Sequence, residues 1–87
     1  MKIKVFIDNP GYQLFYCPGC KEWHVIDHRW AFNGNIKNPT FNPSYKATDP
    51  DGKICHLFIR DGKIQYLNDC YHSLKGQTID MVDVRNI

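Results

Sequence analysis

The sequence predicts a small, mostly β domain with one short helical turn. Short runs in which apolar and polar residues alternate are separated by turn clusters, the pattern of strands with one buried face. Asp61-Gly62 lies between two such runs, which is the strongest short signal for a hairpin. Twelve aromatic residues in 87, two of them Trp, supply enough apolar area for a packed core and argue against a disordered segment.

Residues 2–7 alternate with Ile3, Val5 and Ile7 on one face, followed by the turn signal Asn9-Pro10-Gly11. Residues 12–16 read as a second strand running into Cys17. Residues 23–27 and 29–32 are short strands, with Asn33-Gly34-Asn35 turning the chain afterwards. Residues 38–44 contain two prolines and no clean period, and read as an ordered, irregular loop pinned by Phe41. Residues 48–52 are another turn cluster. Residues 54–60 and 63–67 form the hairpin, in which Ile59 faces Ile64, Leu57 faces Tyr66 and Cys55 lies level with Asn68. His56, Phe58, Arg60 and Gln65 then point to the opposite face. Asp69 caps a helical turn from His72 to Lys75 that Gly76 stops, and residues 78–84 return to strand.

The length suits one domain, residues 1–87, whose core alone leaves a thin margin of stability. A metal or disulfides commonly close that gap in small domains. Eleven Lys and Arg against nine Asp and Glu give a charge of +2 with no basic run, so neither nucleic acid nor an anionic membrane has an electrostatic claim on the surface. The N-terminal residues lack the long apolar stretch of a signal peptide, and no stretch is long enough to span a bilayer. These features predict a cytosolic protein with reduced cysteines, where metal binding is favoured over disulfides.

Cys17-Pro18-Gly19-Cys20 is the most chemically specific feature. Two thiolates separated by a tight Pro-Gly turn can chelate one ion, and a tetrahedral zinc needs two further ligands. The candidates are Cys55 with His56, and Cys70 with His72, while His24 offers a local alternative four residues past Cys20. Cys55 and His56 are adjacent, so both can reach one ion only where the strand is bulged or just beginning. A redox role for the Cys pair is disfavoured, because a strand rather than a helix follows it.

Five segments occur in order: Cys17-Pro18-Gly19-Cys20 with His24; Trp30-Ala31-Phe32-Asn33-Gly34; Pro39-Thr40-Phe41-Asn42-Pro43-Ser44; residues 55–62; and Asp69-Cys70-Tyr71-His72 with Gly76-Gln77-Thr78. Together they resemble a family of small uncharacterised phage and prophage proteins, some of which carry an ammonia-monooxygenase label. No membrane span or copper site supports that label here. A distant branch is similar to a zinc-site protein of bacterial ubiquitin-like conjugation operons. The resemblance covers residues 15–78 and implies Zn2+ held by Cys17, Cys20, Cys55 and His56, with His72 as the next choice, while His24 stays the local alternative read from spacing.

Two functions compete at this level. One is a phage-encoded protein-interaction module in the bacterial cytoplasm, stapled by zinc, with His56, Phe58, Arg60 and Gln65 facing a host or phage protein. The other is a zinc-dependent hydrolase or peptidase, with ubiquitin-like proteins as substrates and Asp69 and His72 moving protons around a metal-bound water. A structural virion component is a third class. Four protein ligands favour a closed structural site, and three favour chemistry at the metal. The sequence leaves the oligomeric state open.

Overall fold

A computed structural model describes residues 1–86 and resolves the alternating runs into eight strands. The first sheet has the order β1 (Lys4–Val5), β2 (Gln13–Cys17), β3 (Glu22–Ile26). The second has the order β4 (Ala31–Phe32), β5 (Phe41–Thr48), β6 (Ile54–Arg60), β7 (Lys63–Tyr66), β8 (Thr78–Asp80). Every pairing is antiparallel. Among the described residues the helical content is a single 3-10 turn, Val84–Asn86. No helix there is long and apolar enough to cross a membrane.

The strand alternation decides what is buried. Gln13, Phe15 and Cys17 on β2, with His24 and Ile26 on β3, turn inward. Cys55, Leu57 and Ile59 on β6 and Ile64 and Tyr66 on β7 face them from the second sheet. Phe15 meets Tyr45 edge-on at 5.3 Å, and the Tyr66 hydroxyl lies 3.1 Å from the Cys17 sulfur. The inner faces of the two sheets therefore form one core.

The hairpin has the register expected from Asp61-Gly62, with Ile59 opposite Ile64 and Leu57 opposite Tyr66. Both turn residues have positive φ, 50° and 74°, the twist that a two-residue hairpin turn demands. The turn is clasped from outside: Asp61 donates its amide to Thr40 Oγ, and Gly62 donates to the Pro39 carbonyl. A Cβ at Gly62 would lie 3.0 Å from Asn38 Oδ1 and 3.1 Å from its Cα. Gly62→Ala is therefore expected to cost about 1–3 kcal/mol, from left-handed strain plus that crowding. A urea unfolding curve measures it.

Several expectations fail. The first strand covers Lys4–Val5 and not 2–7, with Val5 and Ile7 exposed while Ile3 is buried, and the last strand stops at Asp80, short of 84. The segment 38–44 is not loop throughout, because β5 begins at Phe41. Phe41 pairs with Ile59 and Tyr45 with Leu57, so four steps along β5 cover two along β6. The surplus makes a bulge holding the cis Asn42–Pro43 bond and Ser44. No local period marks it, because it exists only relative to β6. The helical turn expected from His72 to Lys75 is instead a series of turns, with Lys75 donating to the His72 carbonyl and Gln77 to that of Leu74.

Candidate functional site

The link between β2 and β3 builds one half of a cluster. Lys21 donates its amide to the Cys17 carbonyl at 2.7 Å and adopts a positive φ of 58°, so four residues reverse the chain. Within that turn the Cys20 amide donates to Cys17 Sγ at 3.3 Å, which points both sulfurs to one side. His24 follows on the inward face of β3, and Cys55 reaches the same place from β6. The ligand atoms of Cys17, Cys20, His24 and Cys55 all lie within 4.8 Å of one another. The donors come from both sheets, so an ion held here would cross-link the sandwich.

Several features fit these residues to a metal. A tetrahedral zinc with Zn–S bonds of about 2.3 Å sets its sulfurs roughly 3.8 Å apart, and Cys17 and Cys55 are separated by 3.9 Å. Nε2 of His24 is buried and has no hydrogen-bond partner, a costly state that a metal bond would relieve. Negative charge is also favoured here. Cys17 is held at about 3, far below the usual thiol range, first because Cys55 donates to it. Tyr66 and the Cys20 amide add to that effect, and burial opposes it. The Cys17 thiolate in turn pushes Cys55 upward, and burial raises Cys20 to about 11. Three thiols this close cannot all ionise without a cation.

His72 lies behind the cluster. Leu74 donates its amide to Nδ1 at 3.3 Å, which leaves the ring proton on Nε2, 3.5 Å from Cys55 Sγ. That geometry makes His72 a donor to the Cys55 sulfur, an outer contact that would tune it were a metal bound. Its ring fills the space above Gly19, where a Cβ would collide with it. Cys55, Cys70 and His72 form a second group with ligand atoms within 4.8 Å, and it shares Cys55 with the first. The Cys70 thiol is already engaged by the backbone of His56.

His56, expected beside Cys55 as a ligand, is not in either group. Adjacent strand residues face opposite ways, and β6 is regular at this point, with Cys55 inward and His56 outward. The His56 ring is engaged at both nitrogens. Nδ1 lies 3.1 Å from Asp69 Oδ2, and Nε2 lies 3.1 Å from Ser44 Oγ. A carboxylate only accepts, so Nδ1 carries the proton and donates it to Asp69. Nε2 is then the acceptor for the Ser44 hydroxyl.

This outer site is built from three separate pieces of chain. The β5 bulge aims Ser44 at β6, and Trp30 pins the backbone there by donating Nε1–H to the Ser44 carbonyl at 3.2 Å. β6 carries His56, and the loop after β7 returns Asp69 to its side. Asp69 is about half exposed, and the His56 side chain is mostly covered. Sequence reasoning included His56 and Asp69 and missed Ser44. The available signal was compositional, since the chain has two serines, Ser44 and Ser73. A serine, an imidazole and a carboxylate in hydrogen-bonded series form the arrangement that activates a serine for nucleophilic attack. A shallow apolar groove lined by Phe6, Tyr12, Leu14 and Val25 lies elsewhere, and none of the three residues lines it.

Residues 2–67 match the family model described as bacterial ubiquitination-like system serine protease (BubE). The chain belongs to the BubE family. The part matched to BubE holds Cys17, Cys20, His24, Ser44, Cys55 and His56, and it ends two residues before Asp69. Membership of BubE supports the likeness to proteins of bacterial ubiquitin-like conjugation operons. Neither the curated proteins nor the solved structures gave a significant match.

Proposed function

We propose that this protein is a serine hydrolase of a bacterial ubiquitination-like system, a peptidase whose substrates are ubiquitin-like proteins or their conjugates. The observation that carries the reading is the Ser44–His56–Asp69 series, with both hydrogen bonds at 3.1 Å. The family's description as a serine protease agrees with it.

Catalysis follows from the arrangement. Ser44 Oγ attacks the carbonyl carbon of the scissile bond, and its proton passes to His56 Nε2 as the C–O bond forms. Asp69 holds the ring in the required tautomer and stabilises the imidazolium. His56 then returns the proton to the departing amine as the C–N bond breaks. A water molecule, deprotonated by the same nitrogen, releases the acyl group from Ser44. The order Ser, His, Asp along the chain is immaterial, because such sites are defined by geometry.

The cluster of Cys17, Cys20, His24 and Cys55 is proposed to hold Zn2+, since three thiolates and an imidazole in a tetrahedron suit that ion. When bound, zinc supplies structural cross-linking between the sheets. A zinc-bound water would need Asp69 and His72 to move its protons, but Asp69 serves His56 and His72 donates to Cys55. The face expected to meet a protein partner, with Phe58, Arg60 and Gln65 beside His56, becomes a substrate-contacting face in this reading. The proposed setting is the bacterial cytoplasm, with a phage or prophage origin.

The test is pre-steady-state hydrolysis of p-nitrophenyl acetate, followed by incubation with a ubiquitin-like protein bearing a C-terminal extension. A burst of about one p-nitrophenolate per chain and loss of the extension support the proposal. A linear time course at the buffer rate, with the extension intact, overturns it.

A further inference from the structure

We infer that Cys70 is a positioning residue for His56, a role that rests on the serine-hydrolase reading. β6 is a central strand, so one of its edges faces β5 and the other faces β7. β7 ends at Tyr66, opposite Leu57, and no strand residue of β7 stands opposite His56. The loop that follows takes the place of the missing strand. Leu67 donates its amide to the His56 carbonyl at 2.9 Å, and Tyr71 donates to the Ile54 carbonyl at 2.9 Å. Between them, the Cys70 sulfur accepts the His56 amide at 3.2 Å, and its S–H donates to the His56 carbonyl at 3.1 Å.

One thiol thus bonds both backbone groups of the base, accepting its amide and joining Leu67 as a second donor to its carbonyl. Cys70 is 4 % exposed, so neither bond competes with bulk water. It also directly follows Asp69 in the chain. The clamp therefore fixes the carboxylate and the imidazole against each other, which matters because Asp69 itself is about half exposed and otherwise free to swing into solvent. A serine hydroxyl can make the same two bonds over a shorter reach, whereas alanine and valine can make neither.

The experiment compares wild type with Cys70→Ala, Cys70→Val and Cys70→Ser. Three readouts are taken: the rate at which Ser44 displaces fluoride from diisopropyl fluorophosphate to form its phosphoryl ester, the NMR signal of the His56 Nδ1 proton, and zinc per chain. Cys70→Ala and Cys70→Val are expected to slow phosphorylation of Ser44 about tenfold to a hundredfold. Both should weaken or lose the Nδ1 proton signal with zinc content unchanged, and Cys70→Ser should restore most of both. Valine fills the volume of the thiol, so a folded, slow Cys70→Val separates lost hydrogen bonds from a cavity.

An unchanged rate and signal in Cys70→Val would overturn the role. So would a Cys70→Ser as slow as Cys70→Val, which would assign the effect to packing. Loss of zinc from the variants would make Cys70 a ligand instead. If wild-type Ser44 does not react at all, the hydrolase reading fails by itself, and the Nδ1 signal still decides whether Cys70 orders the His56–Asp69 pair.

Discussion

Ser44→Ala is expected to lower kcat by about 10^4- to 10^6-fold while the domain keeps its fold and its metal. Nothing else in the described residues can replace the hydroxyl at His56 Nε2, and Ser73 lies in the turns between His72 and Gln77. His56→Ala should fall about as far, and the double variant no further, because nucleophile and base act as one unit. Asp69→Asn should cost less than the ~10^4-fold known for a buried triad acid. Asp69 is about half exposed, so water already screens part of its effect on the imidazole. The melting temperature of Ser44→Ala should stay close to wild type, since Ser44 contributes its side chain to one hydrogen bond at the surface of the bulge. Burst kinetics and thermal melts on the same samples check both halves of the expectation.

Cys17→Ala is expected to abolish metal binding and unfold the domain at 25 °C. Structural zinc contributes on the order of 10–16 kcal/mol in small zinc modules, and a domain of this size has a total stability of roughly 5–15 kcal/mol. Cys17 is fully buried at the junction of the sheets and contacts Cys55 and Tyr66 from the opposite sheet. Cys20→Ala, His24→Ala and Cys55→Ala should also release the ion. His56→Ala should retain it, which separates the inner cluster from the outer series on adjacent residues of one strand. Acid should release the metal as well, since protons compete for thiolates and imidazole. Zinc per chain and far-UV circular dichroism, read together, decide each case.

The mostly β class and the central hairpin were legible because their signals are local. Asp61-Gly62 needs only its own φ values, and the alternation from Ile54 to Tyr66 sets the two faces without help from elsewhere. The Cys17–Cys20 pair was legible for the same reason, its turn being contained within four residues. The remainder of the cluster was not. Choosing among His24, His56 and His72 requires knowing which face of which sheet covers which, and that is decided by packing across the sandwich. His56 seemed suitable beside Cys55 only if β6 were irregular there, and the irregularity lies in β5 instead. Ser44 was hidden for that reason. Two prolines disguise the start of a strand, and the bulge that aims its hydroxyl exists only in the register against β6. Asp69 looked like a helix cap because no contact with a residue 13 positions earlier can be read from a sequence.

β6 carries a candidate metal ligand on its inner face and the proposed catalytic base on its outer face, at Cys55 and His56. Native mass spectrometry of the protein after treatment with diisopropyl fluorophosphate reads both sites on one chain. The expected result is a single species bearing one zinc ion and one diisopropylphosphoryl adduct, with the adduct mapped to Ser44 and absent from His56→Ala, which still carries zinc. An unreacted Ser44 in zinc-loaded protein, or an adduct that forms equally well without His56, would contradict it.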